Sequence, residues 1–216
     1  MSPIPFRAAL FDWDGTLVDT AESSYRCYVR MFANFGIAFD REIYARTYSP
    51  NWYQTFEMLG LPRERWAEAD EKWLAAFADE TTELIDGAHD LLSLLNARDV
   101  VAGIVTSGTR ERVTREMHAL GVAPHISECV FGTDVQSKKP HPEALLLCIE
   151  RLGIEPQQVA YVGDSPEDIA MARAAGVFSI AIPGAYPNRD ALVAANPDVL
   201  APSLRDAARV LLAMSS

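Results

Sequence analysis

Cysteine is scarce in this chain, and the three present, Cys27, Cys129 and Cys148, form no Cys-x-x-Cys pair. An odd, scattered set suits a reducing compartment better than a disulfide framework. Histidine is equally sparse: His89, His118, His125 and His141 stand apart and match neither a zinc signature nor a catalytic triad. The glycines supply no dinucleotide fingerprint, so no nicotinamide or flavin cofactor is indicated. Basic residues are outnumbered, 19 Lys and Arg against 30 Asp and Glu, giving a formal charge of -11 that argues against nonspecific nucleic-acid binding. No apolar run reaches the roughly 18 residues of a membrane span, and Met1 to Arg7 lacks the basic region and long apolar stretch of a signal peptide. The expectation is a soluble, cytoplasmic protein with neither nucleic acid nor membrane as a partner.

What the chain does have is apolar material: 49% of its 216 residues are hydrophobic. That is enough for a core of about 150 residues and a smaller attachment. Five short apolar runs read as buried strands: Ala8 to Phe11, Val100 to Val105, Cys129 to Phe131, Val159 to Val162 and Phe178 to Ile182. Helical patterns fall between them, at Ala88 to Asn96, Arg110 to Leu120 and Glu143 to Leu152, with a terminal helix at Ser203 to Leu212. Gly121, Gly153 and Gly176 stand where C-terminal caps belong. Strand and helix in alternation predict an α/β fold, a Rossmann-like, mostly parallel sheet flanked by helices. Ligands of such sheets bind beyond the carboxyl ends of the strands.

Residues 17 to 82 break the alternation. Helix candidates lie near 20–35, 40–47, 51–59 and 64–78, without a convincing strand, and Trp52, Trp66 and Trp73 fall among them. The reading is a small helical domain, 17–82, inserted after the first strand, with 1–16 and 83–216 forming the α/β core. Its tryptophans compensate for a small domain's limited core, or one or two of them close over a substrate. Pro183 to Asn188 reads as a loop explained by its turn residues.

The predicted strand ends collect chemistry. Asp12 and Asp14 follow the first strand, Thr106 and Ser107 the second, Lys138 and Lys139 the third, and Asp164 and Asp168 the fourth. Two carboxylates about 4 Å apart repel by roughly 4 kcal/mol at an effective dielectric of 20, and an anionic phosphate adds to that. Asp12 and Asp164 therefore share a phosphate pocket only with a cation between them. An all-oxygen ligand set suits Mg²⁺. Thr106 offers a hydroxyl to phosphoryl oxygens, the Ser107 region offers backbone donors, and Lys139 supplies neutralising charge.

Asp12-Trp13-Asp14-Gly15-Thr16, extended through Asp19, resembles the opening motif of the haloacid dehalogenase superfamily. Thr106 resembles its second motif, Lys139-Pro140 its third, and Gly163-Asp164 with Asp168 its acidic fourth. The resemblance spans nearly the whole chain and implies a phosphotransferase core, with the helical insertion as a cap. It implies that Asp12 is the nucleophile that becomes an aspartyl phosphate, and that Asp14 protonates the leaving alcohol and then deprotonates water. Mg²⁺ would be held by Asp12, Asp164 and the Asp14 backbone carbonyl, with Asp168 behind them or linked through water. Lys139, rather than Lys138, would reach both nucleophile and phosphoryl group, and Thr106 and Ser107 would bind phosphoryl oxygens. Halide-releasing members generally lack an acid at the position of Asp14, so dehalogenation is not expected. The expected activity is hydrolysis of a small phosphorylated metabolite. Resemblance to the phosphoglycolate phosphatase group puts phosphoglycolate first. A phosphosugar mutase resembling β-phosphoglucomutase, and a noncatalytic receiver-like phosphoacceptor, are the alternatives.

Overall fold

The computed structural model describes residues 6–214. In chain order the elements are β1 (Ala8–Phe11), β2 (Val18–Asp19), α1 (Ala21–Ala33), α2 (Arg41–Thr47), α3 (Trp52–Met58), α4 (Trp66–Ala78) and β3 (Glu83–Leu84). There follow α5 (Ala88–Asn96), β4 (Val101–Val105), α6 (Arg110–Ala119), β5 (Glu128–Val130), α7 (Glu143–Leu152) and β6 (Val159–Gly163). The chain ends with α8 (Pro166–Ala174), β7 (Phe178–Ala181), α9 (Arg189–Ala194), β8 (Val199–Leu200) and α10 (Leu204–Ala213).

Six strands form one parallel sheet in the order β5-β4-β1-β6-β7-β8. A β-strand sends successive side chains to opposite faces, and β1 divides accordingly. Ala9 and Phe11 join a cluster with Leu91 and Leu92 of α5, Val113 of α6 and Leu211 of α10. Ala8 and Leu10 join the opposite cluster with Leu145 and Cys148 of α7 and Met171 of α8. Buried on both sides, the strand must be apolar throughout, as its sequence is. The α/β class predicted from alternation is the architecture observed.

β1 pairs with β4 on one side and β6 on the other, starting from Ala8 opposite Val101 and Val159. Strand order reverses at β1, which opens a crevice beyond the carboxyl ends of β1, β4 and β6. Asp12, Thr106 and Asp164 each fall at or immediately beyond one of these three ends.

α1 to α4 lie between β2 and β3, which pair antiparallel with Val18 opposite Leu84. Tyr28, Phe32, Phe39, Tyr44 and Phe56 form the buried centre of this helical segment, with Trp52, Trp66 and Trp73 half-buried against it. β2, β3, α9 and β8 are not anticipated by hydrophobic periodicity. Two-residue strands are too short to establish a period, and α9 is a six-residue helix. Among the described residues no helix is long and apolar enough to cross a membrane.

Candidate active site

The turn after β1 is tight because the amides of Leu17 and Val18 both donate to the Trp13 carbonyl, while Gly15 N–H donates to the Val18 carbonyl. Gly15 has φ +84°, and a Cβ there would stand 2.2 Å from Asp164 Oδ2 and 2.8 Å from the Tyr186 ring. Only glycine allows the turn this conformation and this approach to β6. Asp12 N–H continues the ladder to the Val162 carbonyl at 2.9 Å, which brings its side chain beside Asp164.

Lys139 organises the carboxylates. Its Nζ donates to Asp12 Oδ1 at 2.7 Å, Asp168 Oδ1 at 2.8 Å and the Tyr161 hydroxyl at 2.8 Å. Three contacts match the three donors of an ammonium. Lys138 donates to the Gly132 carbonyl instead. Asp168 closes a capping box at the start of α8: its Oδ2 accepts from Ser165 N–H and Oγ–H, and its own N–H donates to Ser165 Oγ. Both carboxylate oxygens of Asp168 are therefore engaged.

Asp12, Asp164 and Asp168 are buried, and they offer oxygens all within 4.8 Å of one another. Burial pushes the Asp12 pKa up to about 7, with Lys139 opposing the rise and Asp168 adding to it. Asp164 is raised well above the ordinary carboxylate value by burial and by the charges of Asp12 and Asp168. Burial works against the Lys139 charge, but Asp12 and Asp168 outweigh it and raise the lysine pKa.

Asp164 Oδ2 is buried with no hydrogen-bond partner among the described residues. An unpaired buried carboxylate oxygen is costly unless something satisfies it. The donors around it are oxygens, without thiolate or imidazole, which is the preference of a hard divalent cation rather than zinc. The residues present fit Mg²⁺.

Asp12, Asp14, Lys139, Asp164 and Asp168 border one cavity, but the Asp14 carboxylate is held from α6. Arg112 Nη1 donates to Asp14 Oδ1 at 2.9 Å, and Nη2 donates to Oδ2. The same guanidinium contacts Glu116, which accepts from Trp13 Nε1 at 2.7 Å. Thr106 Oγ1 accepts from Gly108 N–H at 3.0 Å, and Ser107 lines the cavity. Asp12, Asp14, Ser107, Lys139, Asp164 and Asp168 thus line one cavity, with the Asp14 side chain paired with Arg112, while Thr106 is not among the lining residues.

Four residues at the site escape the sequence reading. Arg112 and Glu116 have the i, i+4 spacing of an ordinary surface ion pair, yet both are buried. Tyr161 occupies an apolar strand position and gives no polar signal until Lys139 meets its hydroxyl. Tyr186, in the loop after β7, is buried against the turn at Gly15, its hydroxyl within 3.0 Å of both Thr20 and Ser24 Oγ atoms. Its flanking Pro and Asn residues show only a turn.

The family model described as haloacid dehalogenase-like hydrolase matches residues 9–182. The phosphoglycolate phosphatase of Escherichia coli (strain K12) is 39% identical over 136 residues, which is 63% of this chain and 54% of that protein. The chain therefore matches about half the length of this curated relative. A hydrolase from Pseudomonas syringae has the same fold, with TM-score 0.84, 21% identity, and coverage of 97% of this chain and 99% of that one. CbbY from Rhodobacter sphaeroides, solved in complex with phosphate, has TM-score 0.75 and 26% identity, covering 92% of this chain and 94% of its own.

Proposed function

The chain belongs to the haloacid dehalogenase-like hydrolases, and from that membership we propose that it is a Mg²⁺-dependent phosphatase acting on small phosphomonoesters. The observation that carries this reading is Lys139 joined to Asp12 and Asp168 beside an unsatisfied Asp164 oxygen. One cation is already built in, and the remaining carboxylates are arranged for a second.

An Asp12 oxygen attacks phosphorus, the bond to the alcohol oxygen breaks, and Asp14, protonated and released from its pair with Arg112, delivers a proton to that oxygen. Water then attacks the aspartyl phosphate, Asp14 takes its proton, and the bond to Asp12 breaks to release inorganic phosphate. Asp12, Asp164 and the Asp14 backbone carbonyl would hold Mg²⁺, which supplies positive charge beside the phosphoryl oxygens. Lys139 supplies the opposing charge from the protein side, and Asp168 with Tyr161 keeps its ammonium aimed. Thr106 and Ser107 bind phosphoryl oxygens. The helical segment, 17–82, acts as a cap that excludes water during the first transfer.

Phosphate release from p-nitrophenyl phosphate and from ethyl phosphate, with and without chelator, tests this reading. The Asp12→Asn variant and chelation should both abolish turnover. Asp14→Asn should slow ethyl phosphate by about 10²–10⁴-fold and slow p-nitrophenyl phosphate less, because nitrophenolate leaves without a proton. Undiminished turnover by Asp12→Asn rejects the scheme. The relative's name makes phosphoglycolate the reference ester in the same assay.

A further inference from the structure

The phosphoryl pocket adjoins a larger cavity that the reaction scheme does not use. The pocket around Asp12, Asp14 and Lys139 encloses about 120 Å³ and the neighbouring chamber about 270 Å³. Tyr28, Trp73 and Ser107 border both. Beyond that border Trp52, Tyr53, Phe56 and Leu74 make an aromatic and aliphatic wall on the helical side, while the opposite wall is glycine, threonine, Arg112 and Lys138.

These walls are braced. Asp70 accepts from Trp52 Nε1 at 2.8 Å and from the Tyr53 hydroxyl at 2.7 Å. The Tyr53 ring stacks on Trp66 at 4.7 Å, and Trp73 stacks on Phe77 at 4.8 Å. A chamber held open this way is prepared to receive a flat apolar body at little entropic cost. The Trp73 Nε1 is buried with no hydrogen-bond partner among the described residues, although an indole N–H normally finds one when buried.

Most cations bordering the two cavities already have carboxylate partners. Lys139 is taken by Asp12 and Asp168, and Arg112 by Asp14 and Glu116. Lys138 donates to Gly132; burial raises the Asp70 pKa, and Lys138 partly offsets that rise. Among the arginines and lysines bordering these cavities only Lys138 has no carboxylate partner among the described residues, so one ammonium at the chamber wall remains for a polar group on the substrate.

Resting on the phosphatase reading, we infer that the preferred esters are those whose alcohol carries an aromatic ring, seated in this chamber while the phosphate lies over Asp12. A cavity of about 150 Å³ accommodates benzene, so 270 Å³ leaves room for a substituted ring. Short phosphocarboxylates such as phosphoglycolate fill little of it.

Calorimetric titration of the Mg²⁺-loaded protein with non-hydrolysable phosphonates tests binding apart from catalysis. 3-Phenylpropylphosphonate should bind at least about ten-fold more tightly than propylphosphonate or 3-phosphonopropionate, the gain expected from burying one ring. Equal affinities overturn the inference. Leu74→Trp, or Thr109→Phe from the sheet side, should fill the chamber and remove the difference; a preference surviving in a folded variant of either kind also overturns it. In turnover, 2-phenylethyl phosphate should exceed ethyl phosphate in kcat/KM by a similar factor, since their leaving alcohols are alike in basicity. Selective phosphonate binding without hydrolysis of either ester would leave the chamber standing and remove the phosphatase reading.

Discussion

Gly15 shows how one residue without a side chain determines the site. Its backbone at φ +84° brings the turn after β1 against Asp164 and Tyr186, where a Cβ would lie 2.2 Å from a carboxylate oxygen. Gly15→Ala should therefore destabilise the protein by roughly 1–3 kcal/mol and also displace Asp164. Chemical denaturation with phosphate-release kinetics would register both effects. Loss of stability with unchanged Mg²⁺ affinity would mean that the turn tolerates the methyl without moving its neighbour. Arg112 makes the complementary point. Its guanidinium lies over the Phe77 ring at 4.9 Å while holding Asp14, so one residue touches both the helical segment and the proposed acid.

At the scale of elements, the N-terminus of α8 does two jobs. Ser165 caps the helix through Asp168 N–H, and Asp168 in return holds Lys139. Ser165→Ala removes a cap worth about 1 kcal/mol and takes one of the donors from Asp168. Both urea stability and kcat should fall, and a stability loss with unaltered kcat would separate the cap from the proposed role of Lys139. The paired strands and most helices were legible because burial on two faces demands continuous apolar runs and burial on one face demands a helical period. α5 and α7 have the predicted bounds, whereas β2 pairs with β3 through residues that carry no pattern. The candidate site was legible where acids follow strands. Arg112, Tyr161 and Tyr186 were not, because their roles arise only when β1, α6, β6 and the loop after β7 meet.

Across the whole molecule, an acidic chain places three of its carboxylates in a buried cluster at the centre of its sheet edge. Asp12 has a folded pKa of about 7 against an ordinary 3.8, so between those values the folded state holds a proton that the unfolded chain has released. The stabilisation associated with that proton is fully present below the unfolded value and is lost as pH rises through about 7. Asp164, shifted in the same direction, reinforces the trend. A divalent cation reverses it, because metal and protons compete for the same oxygens and the metal gains as the protons leave. Thermal melts in chelator should therefore lose stability from pH 5 to pH 8, while the increase in Tm on adding Mg²⁺ should be larger at pH 8 than at pH 5. Asp12→Asn removes one titrating carboxyl and should flatten both trends. A Mg²⁺ effect of equal size at both pH values would show that the cation binds elsewhere, and the arrangement of Asp12, Asp164 and Lys139 would then need another explanation.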